Sequence, residues 1–439
     1  MALGGGNYLV QNKILPGTYI NLISASKASV ELSDRGIVAL PMTLDWGVDG
    51  EVFTVESGDF QKSSLKLFGY SYTAKELRDI REVFKHARKV HFYRLNTGDK
   101  ATVKVGGLTV TAKYSGTKGN DINIVVATNI DDSAKSDVST YFGTEKIEVQ
   151  TVAKVEDLVA NDFVTFSGTG AFTTTAGSKL ASGSNLSSVT GTQYQAALDA
   201  FESYSYHVLT CPVADSTTVD LFTAYTKRQR DEIGVKLQLV CYRKAADYEG
   251  VISVENTVKD EGANPAALVF WTSGLEASTA INKSGTNKKY DGEYTVDIKY
   301  TQSQLETNLR AGKFMFHKVN DSVNVLSDVN TFVSFTVEKS KDFSSNQVMR
   351  VLDQSANDKA LLFNTKYLGD VQNDADGRVS LWNDFVNYNN QLQKIRAIEE
   401  FNSDALLVQV GTKKESVVVV DPMRPVTAME KLYVAIIVQ

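Results

Sequence analysis

The sequence is poor in the residues that most often carry chemistry. Its 439 residues include two cysteines, four histidines and six prolines. Cys211 and Cys241 each sit inside an apolar run (HVLTCPV and LQLVCY), which reads as two small core residues kept reduced and excludes a disulfide framework. His86 and His91 are five residues apart, which puts them on different helix faces, and His91 falls in the strand that follows. A metal pair needs spacing such as i, i+4 on one face. His207 and His317 flank apolar runs and read as ordinary strand residues. No apolar stretch approaches the ~18 residues of a membrane span, and the N-terminal MALGGGNYLVQNK has no charged region followed by an apolar one. Synthesis in the cytoplasm, without direct membrane contact, is the expectation. A basic surface is missing too. Lys and Arg number 46 against 52 Asp and Glu, a net charge of −6, with the signs mixed along the chain, which argues against direct nucleic-acid binding. The nearest approach to a basic run, residues 283–289 (KSGTNKK), reads as a solvated loop.

Nucleotide and nucleophile signatures are lacking as well. Residues 116–120 (GTKGN) resemble a fragment of a phosphate loop, but that loop requires GxxxxGK[ST] between a buried strand and a helix. Here Asn120 and a strand follow, so a tight turn is the reading. Gly168-Thr169-Gly170 does not continue into a dinucleotide fingerprint. No serine lies in a GxSxG elbow and no cysteine has a nearby histidine. Strand ends in a parallel sheet often hold ligands; here they are residues 212–215, 242–244 and 255–256. Among these, Asp215 is most simply a helix N-cap, and Asp247 with Glu249 lies in a polar connection. No catalytic, metal or cofactor site is expected.

What is present describes an ordinary globular protein, 42% hydrophobic and 22% charged, long enough for about three domains. Residues 1–20 read as an arm: a Gly4-Gly5-Gly6 hinge, an extended stretch with Tyr8, Val10 and Ile14 at even spacing, then Leu15-Pro16-Gly17. After it, TYINLIS and GIVALPM read as strands. Thr73 and Glu76 form a capping box for a helix carrying Leu77, Ile80, Phe84 and Ala87, and KVHFYRL reads as a buried strand. From residue 97 to 185, short alternating segments (ATVKVGG, LTVTAKY, NDINIVVAT, KIEVQTVAKV) indicate an inserted β-sandwich or barrel whose end, residues 167–192, reads as a long loop. Between 186 and 339, helices alternate with buried strands, as in a parallel α/β sheet, with Asn264-Pro265 opening one helix. Beyond residue 340 come helices, a long one near 378–401, and the hairpin ALLVQVGTKKESVVVVD.

The last nine residues, KLYVAIIVQ, are apolar on both faces when extended. Such a strand is normally buried on both sides. Burying its seven apolar side chains is worth roughly 10 kcal/mol before entropy costs. It is either a central strand of its own domain or a strand that docks elsewhere.

Two blocks in order resemble the contractile-tail sheath proteins of bacteriophages and phage-derived bacteriocins. The first comprises residues 15–21 (LPGTYIN), 34–41 (DRGIVALP), 44–47 (LDWG), 67–69 (LFG) and 90–95 (VHFYRL). The second comprises residues 350–353 (RVLD), 367–369 (YLG), 373–378 and 417–432 (VVVVDPMRPVTAMEKL), followed by Tyr433. Residues 227–234 (KRQRDEIG) and 246–255 are similar to the α/β domain of the same family, so the resemblance spans nearly the whole chain. Leu15 and Thr18 depart from it, since many relatives carry a charged residue and valine there.

The resemblance implies an α/β multidomain protein. An α+β domain built from both chain ends (21–96 plus 340–430) lies next to a tail tube, with the inserted β domain (97–185) and the α/β domain (186–339) outside it. It implies a helical homopolymer of stacked six-fold rings, with tail tube, baseplate and tail terminator proteins as partners. Extended arms, residues 1–20 and 431–439, join neighbours by strand addition through Tyr8, Val10, Ile14, Leu432, Tyr433, Val434, Ile436, Ile437 and Val438, and flex at Gly4, Gly5 and Gly6. Arg378, Lys394 and Arg396, on the long helix, are candidates for facing the tube. Function is then mechanical, in a virion tail or bacteriocin particle assembled in the host bacterial cytoplasm. The alternatives are an α/β enzyme with a fused β module, or another tail or baseplate protein.

Overall fold

The computed structural model describes Leu32 and residues 34–438. The expected N-terminal arm, with Gly4–Gly6, Tyr8, Val10 and Ile14, lies outside the described residues.

The body is a seven-stranded sheet. Its first strands are β1 (Ile37–Met42), β2 (Val52–Glu56) and β3 (Lys89–Arg94), with helices α1 (Ser57–Phe68) and α2 (Arg78–Phe84) between the last two. β1 and β3 are buried along almost their whole length, the pattern of parallel strands covered on both faces. They pair in parallel from Ile37↔Lys89 to Met42↔Arg94, and β2 closes this edge antiparallel to β3.

An insertion follows β3. Strands β4 (Lys100–Val105), β5 (Leu108–Ser115), β6 (Ile122–Thr128), β7 (Ser136–Phe142), β8 (Glu145–Val152), β9 (Val164–Gly168) and β10 (Thr175–Lys179) form a three-stranded sheet, β4-β5-β9, facing a four-stranded one, β10-β6-β7-β8. Residues 167–192, expected as a loop, contain β10, because Ser178 and Lys179 find partners in Ile124 and Asn123 of β6. The GTKGN segment is a short 3-10 turn.

The chain then returns to the body: α3 (Gly191–Phe201), β11 (Val208–Thr210), α4 (Ser216–Arg228), β12 (Gln238–Tyr242), β13 (Val251–Val254), α5 (Leu268–Ser278), α6 (Gln302–Arg310), β14 (Lys313–Phe314) and the hairpin β15 (Phe316–Val319) with β16 (Ser322–Val325). The strand order is β14-β13-β12-β11-β1-β3-β2. β1 pairs in parallel with β11, Val38↔Val208 and Ala39↔Leu209, so the first block and the central α/β region share one sheet. β3 takes the main-chain groups along one edge of β1 and β11 takes those along the other.

One face of the sheet (Val38, Leu40, Val90, Phe92, Val240, Ile252) packs on α2 and α5. The other (Ala39, Leu209, Leu239, Cys241) packs on α3 and α4. α5 is buried from Leu268 to Ala277. It approaches α2 so closely that a Cβ on Gly274 would lie 2.3 Å from the Val83 carbonyl oxygen. Asp215 caps α4, accepting from the Thr218 amide at 2.8 Å. Two expected caps are not formed. The helix after Thr73 begins as a 3-10 turn at Lys75 with Ala74 at its N-cap and no side-chain cap, and the carbonyls of Tyr72 and Ala74 are taken by the Arg81 guanidinium, both at 2.6 Å. Asn264 makes a turn, its Oδ1 accepting from the Ala266 amide at 2.9 Å, and α5 starts only at Leu268.

The sandwich is riveted to the carboxyl end of β3. Arg94 is fully buried and donates to the Leu44 carbonyl (3.0 Å), Asp49 (2.9 Å), the Ser115 carbonyl (2.8 Å) and Asn185 (3.1 Å). Trp46, a residue of the body, is buried in the sandwich core with its ring 5.3 Å from Tyr114 and 5.7 Å from Phe142. The insertion is thus held at the carboxyl end of β3 and the segment that follows β1.

The C-terminal region comprises α7 (Asn346–Leu362), α8 (Ala375–Lys394) and the antiparallel hairpin β17 (Leu407–Val410) with β18 (Val417–Val420). The long helix ends at Lys394, short of the expected residue 401, because Ala397 and Ile398 turn back into the core and Arg396 takes a left-handed φ of 61°. Among the described residues, no helix is long and apolar enough to cross a membrane.

Candidate assembly surface

The platform for this surface is α7, capped by Ser345. Its inward face meets the body through polar side chains. Arg230 makes a two-pronged bond to Asp353 (2.7 and 2.8 Å). The Asn357 side-chain amide pairs with both backbone groups of Lys236 (3.0 and 2.7 Å). Arg350, fully buried, bridges Glu276 of α5 and Asp328 (2.6 Å to the latter), and donates to the Lys283 carbonyl (2.9 Å). Burial, then the neighbouring Asp328, pushes the Glu276 carboxyl well above its usual range. Burial also pushes Asp328 up, but Arg350 and the Gly285 amide outweigh it and leave Asp328 below its usual range. Fixed charges of opposite sign on both sides of the joint attach the C-terminal region in one orientation.

On this platform α8 carries the hairpin. Trp382 donates its indole N–H to the Leu406 carbonyl at 3.0 Å, and Asn373 donates to the carbonyls of Lys414 (2.7 Å) and Ser416 (2.9 Å). Val408, Val417 and Val419 pack inward beside Phe385 and Leu381. The other face of the hairpin presents Leu407, Val418 and Val420, which are 42–50% exposed. The two strands form a sheet of their own, so among the described residues each has an unpaired edge. Such edges are templates for an added strand.

Beyond β18 the chain runs back over the body and then leaves it. Residues 431–438 form no strand and are exposed; Leu432, Tyr433, Val434, Ile436, Ile437 and Val438 are between 68% and 91% exposed. This end is therefore not a central strand of its own domain. A run of large apolar side chains this exposed marks an interaction segment.

The three candidate tube-facing residues are not brought together. Arg378 sits in the first turn of α8, half-buried, with its guanidinium on the carbonyl and side chain of Asn373 (3.0 and 3.1 Å). Lys394 and Arg396 are exposed at the far end, roughly 24 Å along the axis at 1.5 Å per residue. The histidines are scattered: His86 lies edge-on to Trp271, His91 bonds Thr54 at 2.7 Å, and His317 is in β15. Burial, then Arg35, pushes His207 down to about 3. Both cysteines are free and buried. Among the described residues no group of His, Cys, Asp or Glu could hold a metal ion. The polar grip of α7 on the body and the outer hairpin face were not singled out in the sequence. The hairpin's unbroken VVVV run, apolar on both faces in a strand with only one inward side, was the signal available.

A body of α/β sheet with a β-sandwich inserted after its third strand and a helical C-terminal region ending in a hairpin defines a multidomain assembly subunit. Family profiles match along the chain in the same order: Tail sheath protein Gp18 domain III N-terminal region (residues 35–95), Phage tail sheath protein beta-sandwich domain (96–185), Phage tail sheath protein central domain (187–331) and Phage tail sheath C-terminal domain (338–439). The phage-like element PBSX protein XkdK of Bacillus subtilis (strain 168) is 33% identical, over 98% of this chain and 99% of its own length. The crystal structure of the sheath tail protein of Desulfitobacterium hafniense is 41% identical, covers 95% of this chain and 99% of its own, and superposes with a TM-score of 0.81. The anti-feeding prophage helical sheath in its contracted state shares the fold (TM-score 0.57, 13% identity, 97% of this chain and 99% of its own). The chain belongs to the phage tail sheath protein family.

Proposed function

We propose that this chain polymerises into stacked six-fold rings around a tail tube and contracts to drive the tube through a bacterial envelope. The observation that carries the reading is the pairing of an exposed apolar segment, residues 431–438, with an apolar hairpin that has unpaired edges. One copy's segment adds to another copy's β17–β18 hairpin: main-chain bonds give strength, and alternating side chains fix the register. A head-to-tail contact of this kind generates an open helical array when its rotation does not close. The N-terminal arm, through Tyr8, Val10 and Ile14 and hinged at Gly4, Gly5 and Gly6, serves the same joining role.

Contraction is then a rigid-body rearrangement, with the arms keeping neighbours attached while other contacts change. The fixed polar joint between α7 and the body supports movement of the subunit as one piece. In this arrangement residues 21–96 with 340–430 lie toward the tube, Arg378, Lys394 and Arg396 are the candidates to face it, and the sandwich and the α/β domain lie outward. Baseplate and tail terminator proteins bound the array in a virion tail or bacteriocin particle assembled in the host cytoplasm. The work is mechanical, done by rearranging contacts between subunits.

Two truncations test the reading. Deleting residues 431–439, or residues 1–13, is expected to leave a subunit with unchanged circular dichroism that forms no tubes or rings by electron microscopy. Normal tubes from either truncation would refute that arm's role. Uniform small particles of the intact protein that turn over a substrate would favour an enzyme instead.

A further inference from the structure

The stretch just ahead of the exposed segment, residues 424–430, is neither helix nor strand, yet it is tied down. The Arg424 carbonyl accepts from the Glu399 amide and the Val426 amide donates to the Ala397 carbonyl, both at 2.9 Å, around the single bridge between Ile398 and Pro425. The side chain of Gln347 takes over next. Almost fully buried in the first turn of α7, it donates Nε2–H to the Val426 carbonyl (3.1 Å) and accepts at Oε1 from the Ala428 amide (2.9 Å). One side-chain amide thus acts as one residue of a neighbouring strand, with donor and acceptor both used. Two residues on, Glu430 Oε1 accepts from the hydroxyls of Thr286 (2.6 Å) and Ser284 (3.4 Å). Thr286 Oγ1 itself accepts from the Asp328 amide (2.9 Å), so the strap is linked to the buried Arg350 cluster. Past Glu430 the large side chains are all exposed.

We propose that Gln347 and Thr286 are positioning residues that grip the root of the C-terminal arm, so that it pivots at Lys431 and leaves every subunit in the same direction. This rests on the arm reading above. Gln347 hydrogen-bonds the backbone of the strap, and Thr286 holds it through the Glu430 carboxylate. A fixed root keeps the short arm at high effective concentration near a neighbour's hairpin, and a longer loose tether dilutes it. Losing the Gln347 bonds leaves the strap between Val426 and Glu430 held at its two ends only, which loosens the root.

The substitution Gln347→Met keeps the side-chain volume and removes both bonds. Hydrogen exchange at the Ala428 amide is expected to quicken roughly tenfold, while the Val426 amide, held by Ala397, changes less. The critical concentration for polymerisation is expected to rise roughly five- to tenfold, with an unchanged circular dichroism spectrum. Thr286→Val, at the half-buried other end of the grip, is expected to shift polymerisation the same way, and it decides the matter if Gln347→Met perturbs the fold. Unchanged exchange at Ala428, or faster exchange with normal polymerisation, would overturn the proposal. A control separates the two readings. If the 431–439 deletion still polymerises, the arm itself is misassigned; if it does not while both grip variants polymerise normally, only the grip is wrong.

Discussion

Glu276 and Asp328 share the guanidinium of Arg350 in a fully buried site, so two carboxyl groups face one cation. Two buried carboxyls beside one cation favour a single proton held by the pair. Asp328 has the donors for a charge: Arg350, the Gly285 amide (2.7 Å) and Asn346 (2.9 Å). Glu276 Oε1 has no donor among the described residues, which makes Glu276 the protonated member, with Arg35 on its backbone carbonyl (3.1 Å) as the other cation nearby. The signs then differ. A carboxyl raised on folding contributes stability that is complete below its unfolded value, near 4.3, and is lost as pH rises through the folded value; one lowered on folding contributes stability that is lost as pH falls through its folded value. Glu276→Gln, whose amide donates to Asp328 and accepts from Arg350, is therefore expected to match or exceed the wild type at pH 8 in urea melts. Asp328→Asn is expected to cost about 3–5 kcal/mol, because it leaves Arg350 underpaired. Equal losses from both variants would contradict the shared proton.

Among elements, the inserted sandwich shows most clearly how the pieces are joined. Its two ends meet, with the Leu186 amide 3.0 Å from the Asn96 carbonyl, so excision leaves a short gap. It also leaves Trp46 bare, since that ring is buried among Tyr114, Phe142 and Phe163. Replacing residues 97–185 by a short Gly-Ser linker together with Trp46→Ser is expected to give a body that melts cooperatively. With Trp46 kept, aggregation is expected from about 200 Å² of exposed indole surface. Absence of a cooperative transition in the doubly altered chain would show that the body depends on the sandwich. Most strands were legible, because runs such as GIVALPM, KVHFYRL and VKLQLVCY are too apolar for anything but a buried sheet. Their partners were not. β1 and β11 are adjacent in space but separated by the whole insertion, and nothing local to GIVALPM specifies HVLTCPV as its neighbour. The two caps gave way to other local bonds: Arg81 occupies the carbonyls around Thr73, and the Asn264 side chain closes a turn ahead of α5.

Over the whole molecule, unpartnered apolar surface shows in the sequence where composition conflicts with position, although only the terminal segment was singled out there. The apolar KLYVAIIVQ at one end and the hairpin's VVVV run each have more apolar surface than a single subunit covers. The grip that holds the arm's root was not legible, since Gln347 is one amide in a helix and its partners are backbone groups about eighty residues away. Nor did spacing show that Arg378 is engaged by Asn373 while Lys394 and Arg396 stand free at the opposite end of α8. The central claim is that subunits are joined by the C-terminal segment of one copy lying along the hairpin of another. A density map of the assembled polymer tests it most directly. Residues 432–438 are expected as an added strand on β17 or β18 of a neighbouring subunit, with side chains alternating onto its apolar outer face. Hairpin edges left empty, or covered by the same subunit's own terminal residues, would contradict it.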